Sequence, residues 1–313
     1  MLLSTLQSEL CGKRIFITGG TGLIGKWLLQ KLEKVSCELV LLTRNPGAFN
    51  TSISSFPKRD LALIQGDVQN FEFPEGNFDY IIHAATPVFS DAVDNGELNS
   101  IIVSGTSRVL EFSARSSCPR MLYLSSGAVY GNQPANLDRI PESYPCVPVS
   151  VYGRAKLAAE KLCLNSGVNC VIARGFSFVG QGIPLDSHFA IANFIGNCLR
   201  NEPIIIKGDG TPIRSYMYAS DLVDWLFTIM ISGNLGEAYN VGSSSPISIS
   251  DLAKKVRDLT LSKSAIEVSL PVDDQKPVQR YVPCIDKAIR DLSLEVEVDL
   301  DAAIRETFMK AAT

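Results

Sequence analysis

Histidine is scarce in this chain: only His83 and His188 occur among its 313 residues. A zinc hydrolase or a Ser-His-Asp hydrolase would find few of the groups it needs. His188 follows Asp186 and Ser187, but three neighbours at a helix start cannot converge as a triad. A capping role for the Asp or Ser is the simpler reading. His83 closes an apolar run and reads as packing or as a neighbour of a bound cofactor. Paired cysteines are also missing. The eight cysteines are scattered, with no Cys-x-x-Cys and none closer together than Cys163 and Cys170. This argues against a disulfide framework or a structural zinc site, and no metal is expected. It suits reduced, buried thiols in a cytoplasm.

Positive charge is not in excess. The net charge is −4 and the isoelectric point about 5.4, which removes the usual basis for a nucleic-acid surface. No apolar run approaches the ~18 residues of a membrane span. Residues 1–10 lack a basic leader and a signal-peptide core, and read as a short helical lead-in. The chain is 46% apolar and 20% charged, enough apolar content for a sizeable core. It has no internal repeat and no low-complexity stretch.

What is present alternates between two periodicities. Residues 14–18, 38–42, 61–65, 80–84, 121–125 and 170–174 are short apolar runs of strand type. Between them, 23–34, 97–115 and 151–164 carry apolar residues at helical spacing. Unbroken apolar strands alternating with helices predict a parallel sheet covered on both faces. Right-handed crossovers make it a doubly wound, Rossmann-like α/β fold, with ligands beyond the carboxyl ends of the strands. The second half changes character. Residues 187–199, 221–232 and 250–261 predict helices, the second opened by an acidic turn and the third by a serine cap. Short strands are expected at 203–207 and 213–218. The expected organisation is a dinucleotide-binding domain over residues 1–175 and a smaller C-terminal α/β substrate lobe over 176–313, with parts of the chain crossing between lobes.

Three features fall where such a sheet binds ligands. Gly19, Gly22 and Gly25 stand three apart where the first strand turns into a helix. Glycines there permit a tight turn and leave helix N–H groups for a pyrophosphate, although strand-on-helix packing alone would also use them. An acidic residue that binds a ribose 2′-hydroxyl is expected ~20 positions further on. Thr43 falls in that slot, with Arg44 beside it. A guanidinium pairs with a 2′-phosphate that a carboxylate would repel, so Arg44 points to NADP, with NAD as the alternative. Finally, one strand ends at Ser126, and Tyr152 and Lys156 stand four apart on the next helix, on one face. An ammonium near the phenol is expected to lower its pKa from ~10. Tyr152 would then exchange a proton with a substrate hydroxyl or carbonyl while Ser126 holds the same oxygen.

Together these segments resemble the extended short-chain dehydrogenase/reductase family, and more narrowly its nucleotide-sugar epimerases, dehydratases and reductases. The likeness rests on Thr18-Gly-Gly-Thr-Gly-Leu-Ile-Gly25, Ser125-Ser-Gly-Ala-Val-Tyr-Gly131 and Tyr152-x-x-x-Lys156, and spans nearly the whole chain. It implies Ser126, Tyr152 and Lys156 as catalytic residues. It implies a cofactor held by Gly19, Thr21, Gly22, Leu23, Ile24, Gly25, Thr43 and Arg44, with Tyr152 and Lys156 at its reactive end. Gly66-Asp67-Val68 resembles the adenine contact, and His83-Ala84-Ala85 a fourth-strand cofactor segment. Gly208-Asp-Gly210, the run from Arg214 to Asp221, and Tyr239-Asn-Val-Gly242 resemble the nucleotide-sugar lobe. There Arg214 would hold the substrate diphosphate, with Ser126, Tyr130 and Ser177 at the sugar. Tyr130 would either stack on the substrate or pack in the core. The resemblance also implies a homodimer built as a four-helix bundle from helices 97–115 and 151–164, with Ala155, Ala158 and Ala159 allowing close approach.

Departures from the family pattern narrow the chemistry. Its sugar 4,6-dehydratases carry an Asp-Glu pair after the serine or threonine, the acid and base that eliminating water requires. Gly127 and Ala128 stand there and move no proton, so dehydration is disfavoured. Ile102 and Ser177 replace two usual asparagines, and Gly180-Gln181 a usual Gly-Pro, which bears on how the sugar is oriented. The favoured reaction is NADPH-dependent reduction of a nucleotide-linked 4-keto-6-deoxysugar at carbon 4, with Tyr152 as proton donor. The alternative is an NAD-dependent 4-epimerase that oxidises its substrate transiently. A catalytically silent dinucleotide sensor would be expected to lack the tyrosine or the lysine.

Overall fold

The computed structural model describes residues 3–48, 60–87, 95–186, 189–273 and 275–312. Helix α1 (Leu3–Leu10) leads into β1 (Arg14–Thr18), α2 (Leu23–Leu32), β2 (Glu38–Thr43), β3 (Leu61–Gln65), β4 (Tyr80–His83), α3 (Asn95–Arg115), β5 (Met121–Ser126), α4 (Val151–Asn165) and β6 (Cys170–Gly175). Then come β7 (Phe178–Val179), α5 (Ala190–Arg200), β8 (Ile204–Ile206), β9 (Ile213–Arg214), β10 (Met217–Tyr218), α6 (Ala219–Ser232) and β11 (Ala238–Val241). The chain finishes through β12 (Ile247–Ser248), α7 (Ile249–Leu259), β13 (Ile266–Val268), β14 (Arg280–Tyr281), α8 (Asp286–Leu292) and α9 (Leu300–Ala312).

Seven strands form one parallel sheet in the order β11-β6-β5-β4-β1-β2-β3. Side chains of successive strand residues point to opposite faces, and both faces are buried. Ile15 and Ile17 join a core under α2 and α6 with Trp27, Leu28, Trp225 and Met230. Phe16 joins the opposite core under α3 and α4, where Phe71, Phe78 and Phe112 pack around it with ring centroids 4.7–5.9 Å away. The apolar runs of β1, β2, β4, β5 and β6 are therefore continuous because neither face meets water, whereas the edge strand β3 is only half-buried. The order in which strands are added reverses between β1 and β4, and the crevice at their carboxyl ends is where this topology receives ligands.

The second half returns to this sheet, adding α6 and β11. Helix α8 packs against the same sheet core, while α5, α7, α9 and β8 share a separate core in a smaller body. The stretch expected as one strand at 213–218 is two: β9 lies between β12 and β14, while β10 pairs with β7. The cap of α7 is Ser248 rather than Ser250, its hydroxyl accepting the Asp251 N–H at 3.0 Å.

Candidate active site

The glycine turn is close-packed. Gly19 has φ 75°, and a Cβ there would lie 2.7 Å from the Ala84 and Ala85 backbone. At Gly25 a Cβ would run into the Gly19 carbonyl and Gly20, so this residue seats α2 on the turn rather than lining a cavity. No side chain caps α2 at Gly22. The turn opens on a cavity of about 170 Å³ lined by Gly19, Thr21, Gly22, Thr43, Arg44, Asp67, Val68 and Ala85 among others. The N-terminus of α2, Thr43 and Arg44, and the Asp67–Val68 edge thus share one groove.

A second cavity, of about 200 Å³, lies against the carboxyl ends of β5 and β6. Leu23, Ile24, Ala84, Ser126, Tyr152, Lys156 and Ser177 line it, and Thr86 lines both cavities. The structure therefore brings the expected catalytic residues together and joins them to the nucleotide groove.

Lys156 is buried. Its ammonium donates to the Thr86 hydroxyl and to the Leu124 carbonyl, each at 2.7 Å. Burial pulls its pKa down to about 7, and nearby Glu160 pushes the other way. Glu160 is itself tied to Arg174 at 2.7 Å and accepts from the Ser125 hydroxyl. The lowered phenol pKa expected at Tyr152 does not hold. Burial pushes it up to about 12, and the neighbouring Ser126 hydroxyl pushes the other way. Water's absence outweighs the lysine, whose nitrogen is 5.9 Å from the ring centre and engaged elsewhere.

His83 is a buried junction. The Thr106 hydroxyl donates to the Ile102 carbonyl at 2.7 Å, so it must accept from His83 Nε2 at 3.0 Å. His83 Nδ1 then accepts from the Thr18 hydroxyl at 2.7 Å, which in turn accepts the Ala85 N–H at 3.2 Å. This assignment needs a neutral ring, and burial holds its pKa at about 3. The ring thereby pins the ends of β1 and β4 to α3 beside the glycine turn.

Other expected residues lie elsewhere. Tyr130 does not line the catalytic cavity. It is buried, donating to Asn240 Oδ1 at 2.8 Å and accepting from Arg174 at 2.9 Å, because a phenol in the core needs such partners. Arg214 lies outside the cavity lining, its guanidinium on the Ile213 and Gln279 carbonyls at 2.9 and 3.5 Å. Burial lowers its pKa, and no carboxylate pairs with it among the described residues. Ala155 and Ala159 face the chain's own core, not outward, and Ala158 is half-buried. His188 and Ser187 lie outside the described residues. The sequence reading missed Thr86, one residue past His83-Ala-Ala85. It also missed Phe176, Phe178, Phe189 and Tyr281 in the cavity wall. Tyr281 reaches the site from the far end of the chain, with no local pattern to announce it.

The chain is similar in sequence and in fold to several known proteins. UDP-glucuronic acid decarboxylase 1 of Danio rerio is 29% identical over 96% of this chain and 73% of its own length. The dTDP-D-glucose 4,6-dehydratase of Bos taurus is 26% identical over 94% of this chain and 87% of its own. The UDP-glucose 4-epimerase of Thermotoga maritima, solved with UDP-glucose, has the same fold, with TM-score 0.82, 21% identity and coverage of 95% and 98%. Decarboxylases and a dehydratase therefore stand among the relatives, and the expectation against dehydration gains no support from them. The family model for the NAD dependent epimerase/dehydratase family matches residues 15–242, and the chain belongs to that family.

Proposed function

We propose that the protein reduces a nucleotide-linked 4-keto-6-deoxysugar at carbon 4 with NADPH. The observation that carries this reading is the closed space at residue 127. A Cβ there would lie 2.6 Å from the Tyr281 phenol oxygen and 2.8 Å from Phe176 Cζ. Gly127 and Ala128 move no proton, so the acid and base that the elimination chemistry of a dehydratase needs are missing at these positions. Alcohol–ketone exchange needs only the groups present.

A bound nicotinamide would supply the hydride. Ser126 and Tyr152 hold the substrate oxygen between them, and Tyr152 gives it a proton as the alkoxide forms. A phenol held at about 12 is protonated at neutral pH, the form a reduction starts from. Lys156 steadies the charge left on Tyr152, and Thr86 and the Leu124 carbonyl fix its ammonium. The wall formed by Phe176, Phe178, Ile183 and Phe189 suits the methyl of a 6-deoxysugar. Lys156 is the only charged side chain among the described residues of that lining, which leaves a uronate carboxylate without a free cation. Arg44 at the edge of the nucleotide groove favours NADP.

The second reading is 4-epimerisation with NAD. The same three residues serve it, and the fold match to a UDP-glucose 4-epimerase favours it. Mixing the protein with a nucleotide 4-keto-6-deoxysugar and NADPH tests the choice. Loss of absorbance at the reduced nicotinamide band is expected. No loss, with conversion of a non-keto sugar nucleotide in the absence of added reductant, would favour epimerisation. Assembly as a homodimer through α3 and α4 is part of the proposal.

A further inference from the structure

Tyr281 lies on β14, a strand of the smaller body, yet its phenol reaches into the catalytic cavity beside Ser126. Three contacts hold it there. β14 runs parallel to β9 with Tyr281 opposite Arg214, and the Val282 N–H donates to Gln133 Oε1 at 2.9 Å. The ring packs on Phe176 with centroids 4.6 Å apart. In this place it fills the volume that any side chain at residue 127 would need.

Ser126 has one proton to give and two lone pairs to receive with. One lone pair takes the Ala128 N–H at 3.2 Å. The hydroxyl also shares the cavity wall with two phenols, Tyr152 and Tyr281, the second with its oxygen 2.6 Å from where a Cβ on the adjacent Gly127 would lie. If Tyr281 donates into the second lone pair, the serine proton has one direction left, toward Tyr152 and the substrate oxygen. We infer that Tyr281 is a positioning residue: it takes the space of residue 127 and aims the Ser126 hydroxyl at the reacting oxygen. Burial keeps the Tyr281 pKa above its ordinary value, so it remains a donor across the working pH range. The smaller body thus completes the catalytic serine from the strand that neighbours Arg214. Nucleotide seating and proton alignment share one piece of backbone.

The role of Tyr281 in turnover rests on the alcohol–ketone reading above, but its place beside residue 127 does not. Two measurements separate them. In turnover, Tyr281→Phe should lower kcat about fivefold to tenfold, the scale of one neutral hydrogen bond, with KM within about twofold. In a Ser126→Ala background the same change should cost nothing further, because the effect passes through the serine. An unchanged kcat in Tyr281→Phe, or a loss that persists undiminished on top of Ser126→Ala, overturns the aiming role. In thermal melting without substrate, Gly127→Ala should lower Tm clearly less when Tyr281 is Phe than when it is Tyr. Equal losses in the two backgrounds overturn the shared volume. If the unaltered protein turns over no nucleotide sugar, the reading of the reaction fails, and the melting comparison alone decides the inference.

Discussion

Lys156 and His83 are basic side chains placed where water cannot follow, and burial lowers the pKa of both. For His83 the consequence is measurable. Its pKa is about 3 in the folded chain against an ordinary 6.5. Between these values the unfolded chain binds a proton there and the folded chain does not. Stability is therefore lost as pH falls from 6.5 toward 3, at about 1.4 kcal/mol per pH unit for one proton. Urea unfolding of the unaltered protein and of His83→Gln should give curves whose difference narrows as pH drops through that window. Parallel curves would show that the ring is not held neutral. At Arg44, exposed at the groove edge, the expected outcome concerns selectivity. NADPH should bind more tightly than NADH, and Arg44→Asp should reverse the order in a fluorescence titration. Equal binding in the unaltered protein, or a preference that the substitution leaves untouched, would remove Arg44 from cofactor choice.

At the scale of elements, the first helix of the sheet depends on how closely it approaches the turn before it. Gly25→Ala would force a methyl group into the Gly19 carbonyl. It should cost about 1–3 kcal/mol in denaturant unfolding, as overpacking does, and weaken NADPH binding. Unchanged binding would mean that the turn tolerates a wider α2 seat. This close approach was legible from the glycine spacing, as were the apolar strands β1 to β6, because a sheet buried on both faces leaves a local signature. The two-residue strands β9 and β10 read as a single strand, and β12 and β14 carry no such signature. Their pairing depends on partners up to dozens of residues away. The phenol of Tyr152 was legible as a residue but not in its protonation. Spacing reveals that Lys156 is near, while burial, which sets the sign of the shift, is a property of the folded whole. Tyr281 was illegible for the same reason: its relation to Gly127 exists only after the smaller body docks.

For the whole molecule, the outer faces of α3 and α4 are the proposed dimer surface. Ser104, Ser107 and Glu111 on α3 and Arg154 and Lys161 on α4 are exposed in the single chain. Sedimentation should give twice the 34.0 kDa of one chain, and Ser107→Arg should shift it toward the monomer. A monomer at all concentrations would contradict the bundle. The central claim concerns carbon and hydrogen: a site with Gly127 closed off and Ala128 beside it moves protons to and from oxygen only. Turnover in deuterated water, with the product weighed by mass spectrometry against an enzyme-free control, tests this most directly. The expected product carries no solvent deuterium on carbon, its new hydrogen coming from the nicotinamide. A product with solvent deuterium on the sugar carbons, as elimination or decarboxylation would leave, would contradict it.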